Sequence, residues 1–324
     1  MTMQIKKLKE YNSEPKDSIA NRYDTKKHSF IEPGIKLIIG QRNSGKTHTA
    51  VKLLMQCQKE NLFDNILLIT PTYQSNASFW KQFDIPEENV FYPSRDAIQD
   101  VINRIEADRD DFENHLVELE LYERFKRETK NKNTIARMEA ENLNEYMNMG
   151  YINENGYIIN KIVKPEWKYE HISNKLRPVT TALILDDVLG STALASTEAF
   201  TKLCIMNRHI APLSQPFGNR QALGVSVFIL AQSYTGQNAI PRSCRENATD
   251  LILFENKQKQ QLKKIKEELA SAIDENQFQQ AYDYAIQKKH DNLTISFSGC
   301  PEKRFRRNLN ECIVFEKCNC HKKG

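Results

Sequence analysis

Residues 40–47 read GQRNSGKT and match the pattern G-x-x-x-x-G-K-[ST], which is typical of a phosphate-binding P-loop. The apolar run before it, residues 35–39, predicts a buried strand. The run after it, residues 49–55, lacks glycine and proline and predicts a helix. A strand, a tight turn and a helix start are the context that the motif needs. The alternative, a chance match in an ordinary loop, is disfavoured because both flanks agree with the motif.

Each residue type in this stretch has a defined chemical use. Gly40 and Gly45 allow a tight turn in which backbone N–H groups face phosphate oxygens, and the helix N-terminus adds a positive dipole. Lys46 is predicted to reach the β- and γ-phosphates of ATP, and the Thr47 hydroxyl is predicted to bind Mg²⁺. The predicted nucleotide-binding residues are Gly40, Gln41, Arg42, Asn43, Ser44, Gly45, Lys46, Thr47 and Thr49.

Composition narrows the class of protein. The chain has 324 residues, of which 27% are charged, and no apolar run approaches the roughly 18–20 residues of a membrane span. Its start has no apolar signal segment, and it carries seven cysteines, an odd number. We therefore expect a protein that is not secreted, with free thiols in a reducing compartment.

Three segments are predicted along the chain. Residues 1–30 are polar and form an N-terminal arm, residues 31–299 form an α/β P-loop domain, and residues 300–324 form a basic, cysteine-containing tail. The tail has seven basic and three acidic residues, so it accounts for the net charge of +4 of the whole chain. A basic tail is compatible with nucleic acid and equally with an ordinary solvated end. The further predicted strands are 66–69, 90–92, 181–185, 225–231, 251–254, 293–297 and 312–315.

A helical hairpin is predicted at about residues 96–149, inserted into the α/β domain. An apolar stripe recurs every seven residues at Ile98, Ile105, Phe112 and Leu119. This hairpin either covers one flank of the sheet or contacts a neighbouring subunit or partner. The first alternative is favoured, because apolar stripes usually belong to a core.

Two acids follow the apolar run 181–185, and they form the second chemical landmark. We assign Asp186 to the Mg²⁺ shell, the Walker B role, and Asp187 to activating the attacking water. A turn must begin at Asp187, because two adjacent acids cannot both follow the strand line inward. Gln232 ends the run 225–231 and is predicted to sense the γ-phosphate or position the water. The alternatives are a helix N-cap for the acids and a strand-end hydrogen bond for Gln232.

In this order, the motifs resemble the poxvirus-type DNA packaging ATPases of large DNA viruses and their smaller relatives, in the FtsK/HerA class of DNA translocases. The resemblance covers roughly residues 33–255 and depends on residues 38–47, 70–73 and 183–187, on Arg208-His209, on Gln232 and on residues 241–247. It implies an additional-strand (ASCE, FtsK/HerA-like) P-loop NTPase with a mostly parallel sheet, in which another strand separates the P-loop strand from the strand of the acids. The cofactors implied are ATP and Mg²⁺.

This resemblance implies an ATPase that packages viral double-stranded DNA into a preformed capsid as a ring-shaped homo-oligomer. Its location would be the host cytoplasm, the virus factory or the virion, and its partner a capsid vertex or other virion protein. A neighbouring subunit would supply an arginine to the transition state, with Arg208, Arg242 and Arg245 as candidates and Arg42 as a candidate in cis. DNA would be held by its phosphates whatever its sequence, through Arg220 in a predicted loop at 211–224 and through the tail.

Three departures from the family pattern stand out. The 211–224 segment is longer than the usual link, the 96–149 insertion is not shared, and the second acid is Asp instead of Glu. Two rival functions stay open: a cellular HerA-like DNA pump or helicase, and a nucleotide-dependent assembly scaffold with little turnover. Asp187 and Gln232 argue against the scaffold, because a switch does not need both.

The sequence leaves the number of subunits, the direction of translocation and the capsid partner open. It also leaves open a zinc site in the tail. The candidate ligands are Cys300, Cys312, Cys318, Cys320 and His321. Their C-x-C-H spacing departs from the usual paired spacing of zinc ligands, so free thiols are favoured.

Overall fold

The computed structural model describes residues 3–7, 33–129, 140–155, 157–159, 162–169, 176–189, 194, 197–218, 220–236, 239–297 and 303–315. The described strands are β1 (Met3–Lys7), β2 (Ile35–Ile39), β3 (Asn65–Ile69), β4 (Val90–Phe91), β5 (Thr181–Asp186), β6 (Pro212–Phe217), β7 (Arg220–Ala222), β8 (Ser226–Ala231), β9 (Asp250–Phe254), β10 (Asn292–Ser296), β11 (Phe305–Arg307) and β12 (Glu311–Phe315). The described α-helices are α1 (Lys46–Lys59), α2 (Ala77–Trp80), α3 (Ala97–Glu128), α4 (Ala140–Asn148), α5 (Glu198–Met206), α6 (Arg242–Glu246), α7 (Lys259–Leu269) and α8 (Glu275–Ala285).

Ten of these strands form one sheet in the order β1-β12-β11-β10-β9-β2-β8-β5-β3-β4. The strands from β9 to β4 are parallel, and β10, β11, β12 and β1 extend the sheet in antiparallel fashion. β8 lies between the P-loop strand β2 and the acid-bearing strand β5. The predicted fold, an α/β architecture with a mostly parallel sheet and an additional strand between the P-loop strand and the acid-bearing strand, is confirmed.

Helices cover both faces of the parallel strands, which explains why most residues of these strands are apolar and buried. Along β2, Leu37 and Ile39 pack into one cluster with α3, α5 and α8, whereas Ile38 packs into the other with α1. Burial on both faces fixes the register of β2, and it therefore fixes where residue 40 leaves the sheet. None of the described helices is both long and apolar enough to cross a membrane.

The long helix α3 has two different environments. Its first half covers the sheet, with Ile98 and Ile105 fully buried in the larger cluster. Its far end packs Phe125 against Tyr146 and Tyr151 in a small separate cluster with α4. The favoured interpretation, cover for one flank of the sheet, therefore describes the first half of the helix. The second helix of the predicted hairpin is seen from Ala140 to Asn148, and residues 130–139 lie outside the described residues.

Both ends of the chain contribute to the sheet. β1 pairs with β12 in the register Ile5↔Ile313, and β11 and β12 pair with each other. Residues 3–7 of the predicted arm and residues 305–315 of the predicted tail are thus parts of the central sheet and not separate segments. Local sequence patterns do not reveal this pairing, because its partners lie at opposite ends of the chain.

The predicted loop at residues 211–224 is wrong in part, because β6 and β7 form a two-stranded antiparallel ribbon there. Proline and glycine led to the loop prediction. Both strands of a two-stranded ribbon are edge strands, however, and edge strands tolerate prolines such as Pro212 and Pro216. Gly218 has a φ of 61° at the turn of the ribbon, a backbone conformation that glycine adopts at little cost.

The expectation of free thiols is also wrong for two cysteines. Cys204 of α5 and Cys244 of α6 form a disulfide across 40 residues of sequence, with Cα atoms 4.8 Å apart. The two helices pack together in the larger cluster, and this tertiary contact brings the thiols into reach. Cys57 and Cys312 are buried.

Candidate nucleotide-binding site

Loop 40–45 connects β2 to α1 and has the backbone geometry of a tight anion-binding turn. Asn43 and Gly45 adopt left-handed conformations with φ of 62° and 104°. The Ser44 N–H donates to the Gln41 carbonyl (3.1 Å), and the Thr49 N–H donates to the Gly45 carbonyl (2.9 Å) as the first turn of the helix forms. The Gly40 N–H donates to the Ala231 carbonyl at 3.1 Å, so the loop is tied to the end of β8.

The loop fits a phosphate chain in two further respects. A Cβ on Gly40 would lie 2.4 Å from the Ser44 hydroxyl and 2.8 Å from Phe254 Cβ, so this position excludes any larger residue. The Ser44 hydroxyl is buried and has no hydrogen-bond partner among the described residues. A buried hydroxyl without a partner, inside a turn between two glycines, can donate a hydrogen bond to an anion that binds in the turn. Gln41 and Arg42 are exposed at the tip of the loop.

Lys46 stands at the start of α1 with its ammonium group turned back over the loop. Its Nζ donates to the carbonyls of Gly40 (3.0 Å) and Gln41 (3.2 Å). Burial lowers the pKa of Lys46, and the carboxylates of Asp187 and Asp186 oppose that shift. The cation is therefore held at the loop by carbonyl oxygens, which are weaker partners for it than phosphate oxygens.

Asp186 is the last residue of β5 and is 1% exposed, whereas Asp187 is exposed. The backbone turns between them, because Asp187 adopts a left-handed φ of 54°. The predicted turn at Asp187 is confirmed. One carboxylate faces the buried side of the site beside Thr47 and Lys46, and the other faces its open side.

Burial raises the pKa of Asp186 to about 6, and the neighbouring Asp187 carboxylate adds to the shift. Lys46 and hydrogen bonds from Asn76 and Thr47 act in the opposite direction. A buried carboxylate beside a threonine hydroxyl is a hard oxygen donor set, which suits Mg²⁺. Thr47 and Asp186 therefore fit the predicted metal site, although the described residues contain no cluster of three or more His, Cys, Asp or Glu side chains.

Side chains that follow two neighbouring strands, β8 and β3, donate hydrogen bonds to these carboxylates. Gln232 follows β8, and its Nε2 donates to Asp187 Oδ1 at 3.4 Å. Asn76 donates to Asp186 Oδ2 at 3.5 Å and to the Thr72 hydroxyl at 3.3 Å. Asn76 thus links Thr72, one of the residues 70–73 on which the resemblance depends, to Asp186. Asn76 was not predicted, because its contact with Asp186 depends on the turn after β3.

His290 belongs to this site and was missed by the sequence analysis. It precedes β10 with a left-handed φ of 72°, and its Nδ1 lies 3.1 Å from the Ser44 carbonyl. Its ring also stands 3.6 Å from the place that a Cβ on Gly45 would occupy. A single histidine in a polar segment carries no pattern, so only the tertiary structure reveals that it supports the loop.

We expect that removing the His290 ring weakens ATP binding about 2- to 10-fold, because one net hydrogen bond to the loop is lost. His290→Gly is the suitable variant, since glycine keeps the left-handed backbone without strain. His290→Asn should retain part of the affinity, because asparagine tolerates this backbone and offers a donor. The measurement is titration with a fluorescent ATP analogue. Wild-type affinity in His290→Gly would show that the ring only fills space.

The three candidate trans-acting arginines have different surroundings. Arg208 lies beside the start of β8, because the Val225 N–H donates to the Asn207 carbonyl at 2.8 Å. The P-loop leaves the sheet at the other end of β8, about 16 Å away along the strand. Arg208 therefore cannot reach a nucleotide in its own subunit.

Arg245 is used within the chain. It donates to both carboxylate oxygens of Glu268 at 3.0 Å and to the carbonyls of Ile240 (2.5 Å) and Tyr234 (3.4 Å). These contacts hold the Arg245 guanidinium against its own chain. They do not fit the predicted role of an arginine that reaches the nucleotide of a neighbouring subunit. The Arg242 side chain is 81% exposed, and among the described residues it bonds only to Glu246, one helical turn away.

The candidate zinc ligands cannot be brought together from the described residues. Cys312 is buried in β12, and Cys300, Cys318, Cys320 and His321 lie outside the described part of the chain. The zinc site stays a prediction of the sequence.

Comparison with known proteins finds similarity in solved structures only. No protein-family profile and no curated protein sequence matches this chain. The genome packaging NTPase B204 of Sulfolobus turreted icosahedral virus 2, in complex with AMPPCP, is similar with a TM-score of 0.45 and 11% identity over 86% of this chain and 98% of that chain. The pCW3 conjugation coupling protein TcpA is similar with a TM-score of 0.42 and 11% identity over 86% and 60%. The poxvirus-type part of the resemblance stays a prediction.

Proposed function

We propose that this protein is an ATP-hydrolysing DNA translocase that packages viral double-stranded DNA, acting as a ring of identical subunits. One observation carries the hydrolytic part: the P-loop, the acid pair and Gln232 lie at the same edge of the sheet, on β2, β5 and the intervening β8. Phosphate-binding and water-activating groups thus meet where ligands of open α/β sheets bind. The ordered motif set supports the DNA-packaging part.

In the proposed reaction the loop binds the phosphates of ATP, and Lys46 exchanges its two carbonyl contacts for β- and γ-phosphate oxygens. Asp187 accepts a proton from water as the water oxygen attacks the γ-phosphorus. The bond from that phosphorus to the bridging oxygen breaks, and ADP leaves. Gln232 holds the Asp187 carboxylate in place, and its amide is near enough to orient the same water.

Thr47 and Asp186 are the residues that would hold Mg²⁺, which when bound neutralises charge on the β- and γ-phosphates. The Asp186 carboxylate must be ionised for this task, and Lys46 favours that form. Among the three candidate arginines, Arg208 and Arg242 are exposed, so both fit a contribution to a neighbouring subunit, whereas Arg245 is paired with Glu268 of its own chain. Arg42 at the loop tip is the candidate in cis.

Steady-state ATP hydrolysis, with and without long double-stranded DNA and across protein concentration, tests the proposal. We expect turnover that DNA stimulates and that rises faster than linearly with concentration, because an arginine from a neighbour requires assembly. Turnover that is linear in concentration and indifferent to DNA would overturn the translocase proposal. That result would favour a nucleotide-dependent assembly scaffold.

A further inference from the structure

The segment that follows Gln232 is held by side chains from two helices, α6 and α7. Its central residue is Tyr234, which is only 2% exposed although it lies in the turn after β8. Tyr234 contacts Arg245 of α6 and both Gln261 and Glu268 of α7. We call these four residues the tyrosine network. The proposed hydrolytic chemistry assigns no task to any of them.

Arg245 holds Tyr234 in two ways. Its guanidinium lies over the Tyr234 ring, 5.1 Å from the ring centroid, and it donates to the Tyr234 carbonyl at 3.4 Å. Glu268 in turn fixes the guanidinium through two hydrogen bonds of 3.0 Å, and the Arg245 side chain is only 13% exposed. A sheltered pair with two parallel hydrogen bonds fixes the orientation of the guanidinium as well as its position.

Glu268 also contacts Tyr234 directly. Burial and a hydrogen bond to the Glu268 carboxylate raise the pKa of the Tyr234 hydroxyl. The hydroxyl therefore stays protonated at neutral pH and keeps donating to Glu268. Because one carboxylate serves both the tyrosine and the arginine, its removal should loosen both contacts of Tyr234 at once.

Gln261 holds the backbone of the same segment. The Tyr234 N–H donates to Gln261 Oε1 at 3.3 Å, and this oxygen also accepts from Asn256 Nδ2 at 3.4 Å. The Gln261 amide nitrogen donates to Gln258 Oε1 at 2.7 Å, which fixes its orientation. Asn256 follows β9, the strand beside the P-loop strand. Gln261 thus connects the segment after β8 to the segment after β9.

Gln232 therefore lies between two fixed points of the backbone. On one side the Ala231 carbonyl accepts the Gly40 N–H at 3.1 Å, and on the other side Tyr234 is held by the network. The Gln232 side chain itself is exposed, with its amide 3.4 Å from Asp187 Oδ1. Since little packs against this side chain, its position depends on where the backbone is held.

We propose that Arg245 and Glu268 are positioning residues that hold the Gln232 amide beside the attacking water, acting through Tyr234. This inference rests on the proposed function for the water and for the role of Gln232. It gives Arg245 a task in its own subunit in place of the predicted task in a neighbouring one. A misplacement of about 1 Å can lower turnover about 100-fold, so a loosened segment should affect the chemical step.

Steady-state ATP hydrolysis, analysed as separate kcat and KM values, tests this inference. We expect Glu268→Ala to lower kcat about tenfold and to leave KM within about twofold of wild type, because the phosphate-binding loop does not depend on the network. Glu267→Ala is the matched control. It makes the same substitution one position away on α7, where the carboxylate forms only an exposed pair with Lys263 at 3.8 Å among the described residues. Its kcat and KM should equal those of the wild type, and circular dichroism checks that each variant is folded.

A double-mutant cycle separates positioning from a general loss of structure. If Glu268 acts through the Gln232 amide, the double variant Gln232→Ala/Glu268→Ala should have the same kcat as Gln232→Ala alone. A double variant that is about tenfold slower than Gln232→Ala would show that the two effects are independent, and the proposal would be wrong.

Mixing two variants distinguishes this role from that of a trans-acting arginine. Arg245→Gln and Asp187→Asn are combined in equal amounts at low protein concentration and then concentrated. An arginine acting in trans would be supplied by Asp187→Asn subunits to neighbours whose Asp187 is intact, so turnover would exceed the sum of the separate variants. We expect no gain, and a gain would overturn the proposal.

The outcomes also separate this inference from the proposed function. If wild-type turnover is indifferent to DNA but the kcat values follow the expected cycle, the translocase proposal fails and the positioning role stands. If DNA stimulates the wild type but Glu268→Ala has the wild-type kcat, the positioning role fails alone. A wild type that does not hydrolyse ATP would overturn both.

Discussion

Asp187→Asn should abolish ATP hydrolysis while leaving ATP binding intact. Asparagine has the same shape, tolerates the left-handed φ of 54°, and can still accept the hydrogen bond from Gln232. It cannot accept a proton from the attacking water. We expect turnover to fall about 10²- to 10⁴-fold, the usual contribution of a general base. The measurements are steady-state hydrolysis and titration with a fluorescent ATP analogue.

Asp100→Asn is the matched control for this prediction, because it makes the same substitution at an exposed position in the first turn of α3. Its turnover should equal that of the wild type. If Asp187→Asn hydrolyses ATP at a near-wild-type rate, Asp187 is not the base. The shorter reach of Asp compared with Glu would then be the physical reason, and the water would have to be activated by another group.

The local parts of the site could be predicted from the sequence because their signals lie within a few residues. The strand, turn and helix around residues 35–59 follow from periodicity and two glycines, and the turn at Asp187 follows from strand geometry. The motif order also predicted that a strand separates β2 from β5.

The contacts that the sequence could not give depend on partners far apart in the chain. β1 pairs with β12, although residues 3–7 and 311–315 lie near opposite ends of the sequence. His290 contacts Ser44, from which it is separated by 246 residues of sequence. Arg245 was a candidate trans-acting arginine because the sequence does not reveal its partner, Glu268, which lies on another helix. The ribbon of β6 and β7 was predicted as a loop because proline is common both in loops and in edge strands.

Asp186→Asn should stabilise the metal-free protein at neutral pH although it removes activity. The folded state raises the pKa of Asp186 to about 6 from an ordinary value of 3.8, so the fold favours its protonated form. The stability that this group contributes is fully present below about pH 4 and is lost as the pH rises through about 6. At pH 7 the ionised, buried carboxylate therefore costs about 2–3 kcal/mol, which asparagine avoids.

Thermal unfolding in EDTA at pH 4.5 and pH 7 measures this effect. The melting temperature of Asp186→Asn should exceed that of the wild type by several degrees at pH 7, and the difference should shrink at pH 4.5. Asp100→Asn is the control, because it makes the same substitution at an exposed position of α3 and should change stability little. A wild type that is more stable than Asp186→Asn at pH 7 would contradict the prediction. The Asp186 carboxylate would then be stabilised as an anion by Lys46 and Thr47 before any metal binds.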